Sequence, residues 1–293
     1  MSIRALILAT AASAAAIATA CGSSSSGDDS SSSSDGGPGG NSADGPGGGT
    51  ADGGGNGGAD GGGGPGDGGT QGGGDAGPFC ASVSPKPTFC ADFDQGMAQG
   101  GFDGVGQAPA AAGAIALDTN GPLSAPAALG VSITAGLADT GMGRVLVLNK
   151  AFVPMPATSV RLTYGVRVSA VDPTAGAQLS EIEIGKAAIV VYVTPTKAFA
   201  QERVPTDAGG ATYQSYPLSA APAAGVWTNV EVVVDLSARR YTIKIAGAVA
   251  IDRALAGSVV SGKVGLALGL AYYSGSNVVA SGADFDDVVL DIK

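Results

Sequence analysis

Between Gly22 and Pro78 the chain has no large apolar side chain, and this break separates what can fold from what cannot. The segment is almost wholly Gly, Ser, Asp, Ala, Asn and Pro and holds 26 of the 50 glycines. Ordering a backbone costs conformational entropy that apolar burial must offset, so this composition predicts a flexible coil. As a Gly-rich coil of this length it would reach roughly 40 Å. Folding is therefore expected to be confined to residues 79–293, an ordinary length for one all-β domain.

The formal charge of −10 follows the same division. Asp28, Asp29, Asp35, Asp44, Asp52, Asp60, Asp67 and Asp75 lie in the Gly-rich segment, which has no Lys or Arg, while residues 79–293 carry 14 basic and 17 acidic side chains. Acidity thus belongs to the tether and says nothing about a ligand. With no basic cluster beyond Arg239-Arg240, a nucleic-acid partner is not expected, since such partners recruit basic patches. The Gly-Gly-Asp repeats lack the large apolar residue from which a calcium-binding β-roll builds its core.

Within 79–293 the dominant rhythm is a two-residue alternation. Val160, Leu162, Tyr164, Val166 and Val168 alternate with Ser159, Arg161, Thr163, Gly165 and Arg167, as in a strand with one buried face. Val230, Val232, Val234 and Leu236 repeat it, followed by Tyr241, Ile243 and Ile245 after a short connection at Ser237-Ala238-Arg239. Further strands are expected near 89–94, 129–134, 144–149, 179–184, 188–194, 248–252, 264–271 and 285–292. No sustained helical period occurs, and many short strands between Gly, Pro, Ser and Asp predict an all-β sandwich or barrel.

Residues 1–20 read as a secretory signal, with Arg4, an apolar run from Ala5 to Ile17 and small residues before Cys21. The run is too short for a membrane span. Ala18-Thr19-Ala20-Cys21 resembles the lipobox of bacterial lipoproteins, in which the cysteine is diacylated and becomes the first mature residue. This implies a lipidated Cys21, a linker over 21–78 and a membrane partner; Gly22 is similar to the pattern sorted to the outer membrane. The alternatives are a plain signal-peptidase cut at Ala20 and an incidental cysteine. Export places Cys80 and Cys90 in an oxidising compartment, where such a pair reads as a disulfide closing a small loop, with two buried free thiols as the alternative.

Phe89-Cys90-Ala91-Asp92-Phe93-Asp94, the strand from Gly225 to Asp235 with its hairpin, Gly262 to Gly269, and Phe285-Asp286-Asp287-Val288-Val289-Leu290 together resemble concanavalin A-like and laminin G-like jelly-roll domains. The resemblance implies a sandwich of two antiparallel sheets with the first and last strands adjacent. Such folds host lectins, adhesion domains, glycoside hydrolases and lyases, so the fold alone selects no activity.

The chain has no histidine, which removes Ser-His-Asp and Cys-His nucleophilic sites, His-bound zinc and His general bases. Ser180-Glu181-Ile182-Glu183-Ile184-Gly185 puts Glu181 and Glu183 on one face of a strand and is similar to the catalytic strand of jelly-roll glucanases. Gly185 or Lys186 stands where that strand has its general acid, so a solvated outer strand face is the competing reading. Asp284, Asp286 and Asp287, with Asp118 and Asn120, are candidates for a structural calcium site, or else turn and edge residues. Tyr272, Tyr273 and Asn277 are candidates for a loop that stacks on a sugar, or else surface residues beside a sheet edge. Trp227 is expected in core or rim packing. Gly265, Ala267, Gly269 and Ala271 form a face of small residues that either leaves room for a ligand or admits close packing. The expected function is a lipid-anchored, cell-surface or outer-membrane protein displaying a jelly-roll domain that binds a polysaccharide or surface protein. A glucanase-type enzyme using Glu181 and Glu183, or a structural envelope protein, is the alternative.

Overall fold

The computed structural model describes residues 79–108, 112–137, 144–152, 156–257, 259, 262–272 and 277–293. The leader, Cys21, the Gly-rich linker and Tyr273 lie outside the described residues. A four-residue helix, Phe79–Ser82, precedes the strands. In chain order these are β1 (Phe89–Ala91), β2 (Gly104–Ala108), β3 (Gly113–Asp118), β4 (Ala128–Ile133), β5 (Gly136–Leu137) and β6 (Arg144–Ala151). They continue as β7 (Ser159–Ala170), β8 (Ala177–Ile184), β9 (Ala187–Val193), β10 (Ala198–Pro205), β11 (Ala211–Pro217) and β12 (Thr228–Asp235). The last five are β13 (Arg240–Ile245), β14 (Ala248–Ala254), β15 (Val264–Tyr272), β16 (Asn277–Val278) and β17 (Ser281–Ile292).

Two antiparallel sheets form, as the jelly-roll expectation requires. One runs β14-β13-β12-β7-β17-β4-β3, with β1 also paired to β17. The other runs β11-β10-β9-β8-β15-β6-β2, and β16 pairs with β5 apart from both. Their facing sides make one core. Val160, Leu162, Tyr164 and Val166 of β7, Val230, Val232 and Val234 of β12, and Phe285, Val288 and Leu290 of β17 meet Leu179 and Ile182 of β8 and Leu266, Leu268 and Leu270 of β15. In β7, β12 and β13 the alternation thus named the inward side correctly. The first and last strands are neighbours: Phe89 pairs with Leu290 and Ala91 with Val288.

Cys80 and Cys90 form a disulfide with Cα atoms 5.8 Å apart, tying the helix to β1. Cys80 N–H also donates to Asp92 Oδ2 at 3.0 Å. The turn between β12 and β13 is closed by Asp235 Oδ1, which accepts from Ala238 N–H at 2.7 Å and Ser237 Oγ–H at 2.8 Å. Trp227 packs at the rim, its Nε1–H donating to Gly121 O at 2.8 Å.

Polar side chains also meet across the core. The Tyr164 hydroxyl of β7 lies 3.0 Å from Ser180 Oγ of β8, and both residues are almost fully buried. Burial of the phenol pushes its pKa up, so it stays neutral and available as donor or acceptor. Removing one partner leaves the other desolvated and unpaired, which costs about 1–3 kcal/mol. Tyr164→Phe and Ser180→Ala are each expected to destabilise the fold by that order, and the double variant by less than the sum of the two. A denaturant titration of all four proteins checks this; strict additivity would mean the hydroxyls do not interact.

Candidate functional site

One face of the seven-stranded sheet packs on the core, and register places a second set of side chains on the opposite face. Ala267 pairs with Glu181, Glu181 with Val190 and Val190 with Gln201. Gln201 pairs in turn with Ser215, and its Nε2–H donates to Ser215 Oγ at 3.1 Å. The next row is Gly265, Glu183, Ala188, Arg203 and Tyr213. A third carries Gln178, Tyr192, Phe199 and Pro217. On the far side Asn149 pairs with Ala267 and Gly104. The face thus holds one arginine, two glutamates, amide and hydroxyl groups, and the rings of Tyr213, Tyr192 and Phe199.

Arg203 ties the charged row together. Its Nη1 lies 3.6 Å from Glu181 Oε1 and its Nη2 3.0 Å from Glu183 Oε1. Glu181 and Glu183 therefore share a face, as expected, and a guanidinium two strands away engages both. Glu183 is about half exposed and Glu181 mostly covered. Burial raises the Glu181 pKa against the pull of Arg203, and the Glu183 charge adds to the rise. A retaining glycosidase needs two carboxyls ~5–5.5 Å apart flanking the bond to be cleaved. Here both come from one strand and turn to the same arginine. Arg203 Nε and Gln178 Oε1 are buried without a hydrogen-bond partner.

The small-residue strip of β15 divides. Gly265 and Ala267 are half-buried on the outer face, beside Glu183 and Glu181. Gly269 has a backbone reason: at φ +143° a Cβ there would lie 2.4 Å from Leu146 O, so it admits close approach of β6 at the irregularity in β15. Tyr272 corrects an expectation. It is fully buried in the core rather than displayed on a loop; its hydroxyl donates to Ser281 Oγ at 2.7 Å and accepts from Asp172 N–H at 3.1 Å. Asn277 enters β16, where it pairs with Leu137.

The expected calcium set is also divided. Asp284 and Asp118 belong to Arg167, whose Nε–H donates to Asp284 Oδ2 at 2.9 Å and Nη2–H to Asp118 Oδ2 at 2.8 Å. Arg167 Nη1–H reaches the backbone carbonyls of Asn120 and Gly121, and the guanidinium lies 5.0 Å from the Trp227 ring centroid. Asp286 and Asp287 instead meet Ser124: its N–H donates to Asp286 Oδ2 at 2.9 Å and its hydroxyl to Asp287 Oδ1 at 2.8 Å. Calcium takes six to eight oxygens, and among the described residues no three His, Cys, Asp or Glu side chains are grouped to hold a metal ion. A groove of about 420 Å³ lies between Phe79–Pro85 and Arg161, Thr163, Val289 and Asp291 on the other sheet. Its arginine is already bonded to Glu231.

These buried carboxyls set a pH profile. Asp286 is fully buried, and burial, helped by the charges of Asp287 and Asp94, raises its pKa to about 7 against the Ser124 N–H bond. Burial also raises Asp287, Asp94 and Asp284. A carboxyl that holds its proton more tightly when folded favours the fold at low pH, and that contribution is lost as pH rises from about 4 through 7. Asp172 is opposite. Burial would raise it, but the Thr174 hydroxyl and the N–H groups of Val279, Thr174 and Ala175 outweigh burial and hold it to about 2, so its contribution is lost as pH falls below about 4. The melting temperature is expected to peak on the acid side of neutrality and to decline toward pH 8. Asp286→Asn should flatten the alkaline limb, and an unchanged limb would show that Asp286 does not cause it.

No family model matches the chain, and no curated protein matches it. Among solved structures it is similar to an endo-β-1,4-glucuronan lyase from the fungus Trichoderma reesei, at 14% identity and a TM-score of 0.55, covering 71% of this chain and 96% of that one. It is also similar to the cellulose-induced protein Cip1, at 14% identity and a TM-score of 0.51, covering 69% and 96%. At such identity the likeness establishes the jelly-roll fold of the domain.

Proposed function

We propose that the chain is a lipid-anchored cell-envelope protein whose jelly-roll domain binds polysaccharide on the outer face of the seven-stranded sheet. The observation that carries this reading is the cross-strand grouping of Tyr213, Tyr192 and Phe199 around Arg203, Glu181, Glu183 and Gln201. Ring faces stack on the apolar faces of sugars, while amides and charged groups bond the hydroxyls at the edges. One fold neighbour is named for glucuronan and another for cellulose, and polysaccharide is the ligand class assigned here. The anchor rests on the lipobox-like run ending at Cys21. The glucanase alternative is disfavoured because Glu181 and Glu183 both engage Arg203 instead of standing on opposite sides of a cleavable bond.

Affinity electrophoresis of the full chain in gels cast with polysaccharides tests the binding. Tyr213 is 46% exposed, so Tyr213→Ala is expected to weaken retention about tenfold, the loss of one contact worth ~1.4 kcal/mol, with an unchanged melting temperature. If the wild type releases new sugar ends and Glu181→Gln abolishes the release, the enzyme reading replaces the binding one.

The anchor is tested in cells. Cys21→Ser removes the acylated thiol and is expected to move the protein from the membrane fraction to the soluble fraction. Full retention in the membrane fraction would end the lipoprotein assignment.

A further inference from the structure

We propose that this face selects uncharged polysaccharides, chains of neutral hexose or pentose units, and rejects polyuronates; the inference rests on the polysaccharide-binding reading above. Arg203 is the only basic side chain that strand register places on the face, among the described residues. An arginine is the group best suited to grip a sugar carboxylate, through two parallel N–H···O bonds. Here both of its Nη atoms are already committed, Nη1 toward Glu181 and Nη2 to Glu183.

The balance of the face is one positive against two negative side chains. A uronate arriving there would have to displace a glutamate from Arg203 and then sit beside the carboxylate it displaced. Like charges placed together are a standard means of excluding a wrong partner. Protonation of the covered Glu181 would not reverse this, because half-exposed Glu183 still balances Arg203 at 3.0 Å. Lys197 lies in the turn at the far end of β9 from the charged row, and Lys186, exposed in the β8–β9 turn at the near end, is not the ion-pair partner of either glutamate. The remaining groups, Gln201, Ser215, Asn149 and the tyrosines, offer neutral donors and acceptors matched to hydroxyls. Beside the glutamates, Gly265 and Ala267 leave the sheet low along β15, so an extended chain can lie against them with its edge toward the charged row.

The test compares oligosaccharides that share a backbone and differ only in charge. β-1,4-Glucan and β-1,4-glucuronan hexamers are titrated against the full chain, with mannan, xylan, alginate and polygalacturonate as gel-cast counterparts, at low and physiological salt. The wild type is expected to retain at least one neutral polysaccharide and to bind every polyuronate at least about tenfold more weakly, a difference of ~1.4 kcal/mol. Glu181→Gln/Glu183→Gln frees the guanidinium and is expected to raise polyuronate binding about tenfold or more, with a gain that fades as salt is added. Glu183→Gln alone, at the exposed position, should show a smaller gain and keeps the test available if the double variant does not fold. Polyuronate binding by the wild type equal to or tighter than neutral binding overturns the inference and leaves the polysaccharide reading standing. So does neutral preference that neither variant alters, because the glutamate clamp would then not be its cause. Retention of no polysaccharide of either kind overturns the binding reading and the inference with it.

Discussion

Strand β17 is the seam of the eight-stranded sheet, because it is hydrogen-bonded along both edges. Residues Gly282–Ile292 pair with β7, Ser281–Phe285 with β4, and Val288–Leu290 with β1. Within this sheet, β3 and β4 from the beginning of the domain are joined to β7 and β12 from its middle through its final strand. Phe285 faces Tyr164 across this seam, with ring centroids 6.1 Å apart, and Tyr164 reaches over the core to Ser180. Ser180 directly precedes Glu181. The position of the charged row on the outer face is thus set by a chain of contacts that begins in the opposite sheet, and a close-packed interior transmits displacement along it.

The two faces of β17 show how burial and charge are reconciled. Apart from Ser281, its inward residues are apolar, while its outward aspartates sit under other parts of the chain and acquire specific partners: Arg167 for Asp284, Ser124 for Asp286 and Asp287. A buried carboxyl without a cation nearby keeps its proton to a higher pH. Asp284 has Arg167 beside it and still has a raised pKa, because burial outweighs the arginine. The same competition holds at Glu181 beside Arg203. Desolvation is the larger effect at both places, and the ion pair moderates it.

Legibility in the sequence followed the range of the interaction. Alternation revealed β7, β12 and β13 with their inward sides, because strand parity is local. It passed over β10 and β11, whose inward positions include Ala198, Ala200 and Glu202 in place of a run of large apolar residues, and over Gly-rich β2. Tyr272 was legible and misread: Val264, Leu266, Leu268, Leu270 and Tyr272 keep one parity, and all are buried. Its ring continues the inward parity of β15 and does not belong to the loop that follows. Glu181 and Glu183 were found from spacing alone. Arg203 was not, because it joins them only through the pairing of β8 with β9 and of β9 with β10. The same cross-strand register brings Tyr213 and Phe199 to the face, and no local pattern encodes it. The calcium candidates failed as a set for a related reason: Arg167 of β7 takes Asp284 and Asp118, while Ser124 takes Asp286 and Asp287.

A strand that closes a sheet from its middle also governs when the domain can form. β4 and β7 lie on either side of β17 in the sheet order, so neither can complete its ladder until residues more than a hundred positions later have arrived. Pairings of such range are slow to close. Until that final segment arrives, the eight-stranded sheet is left as two parts, β3-β4 and β7-β12-β13-β14, with the facing edges of β4 and β7 unpaired. The last dozen residues of the domain thus act as a timer for the closing of this sheet.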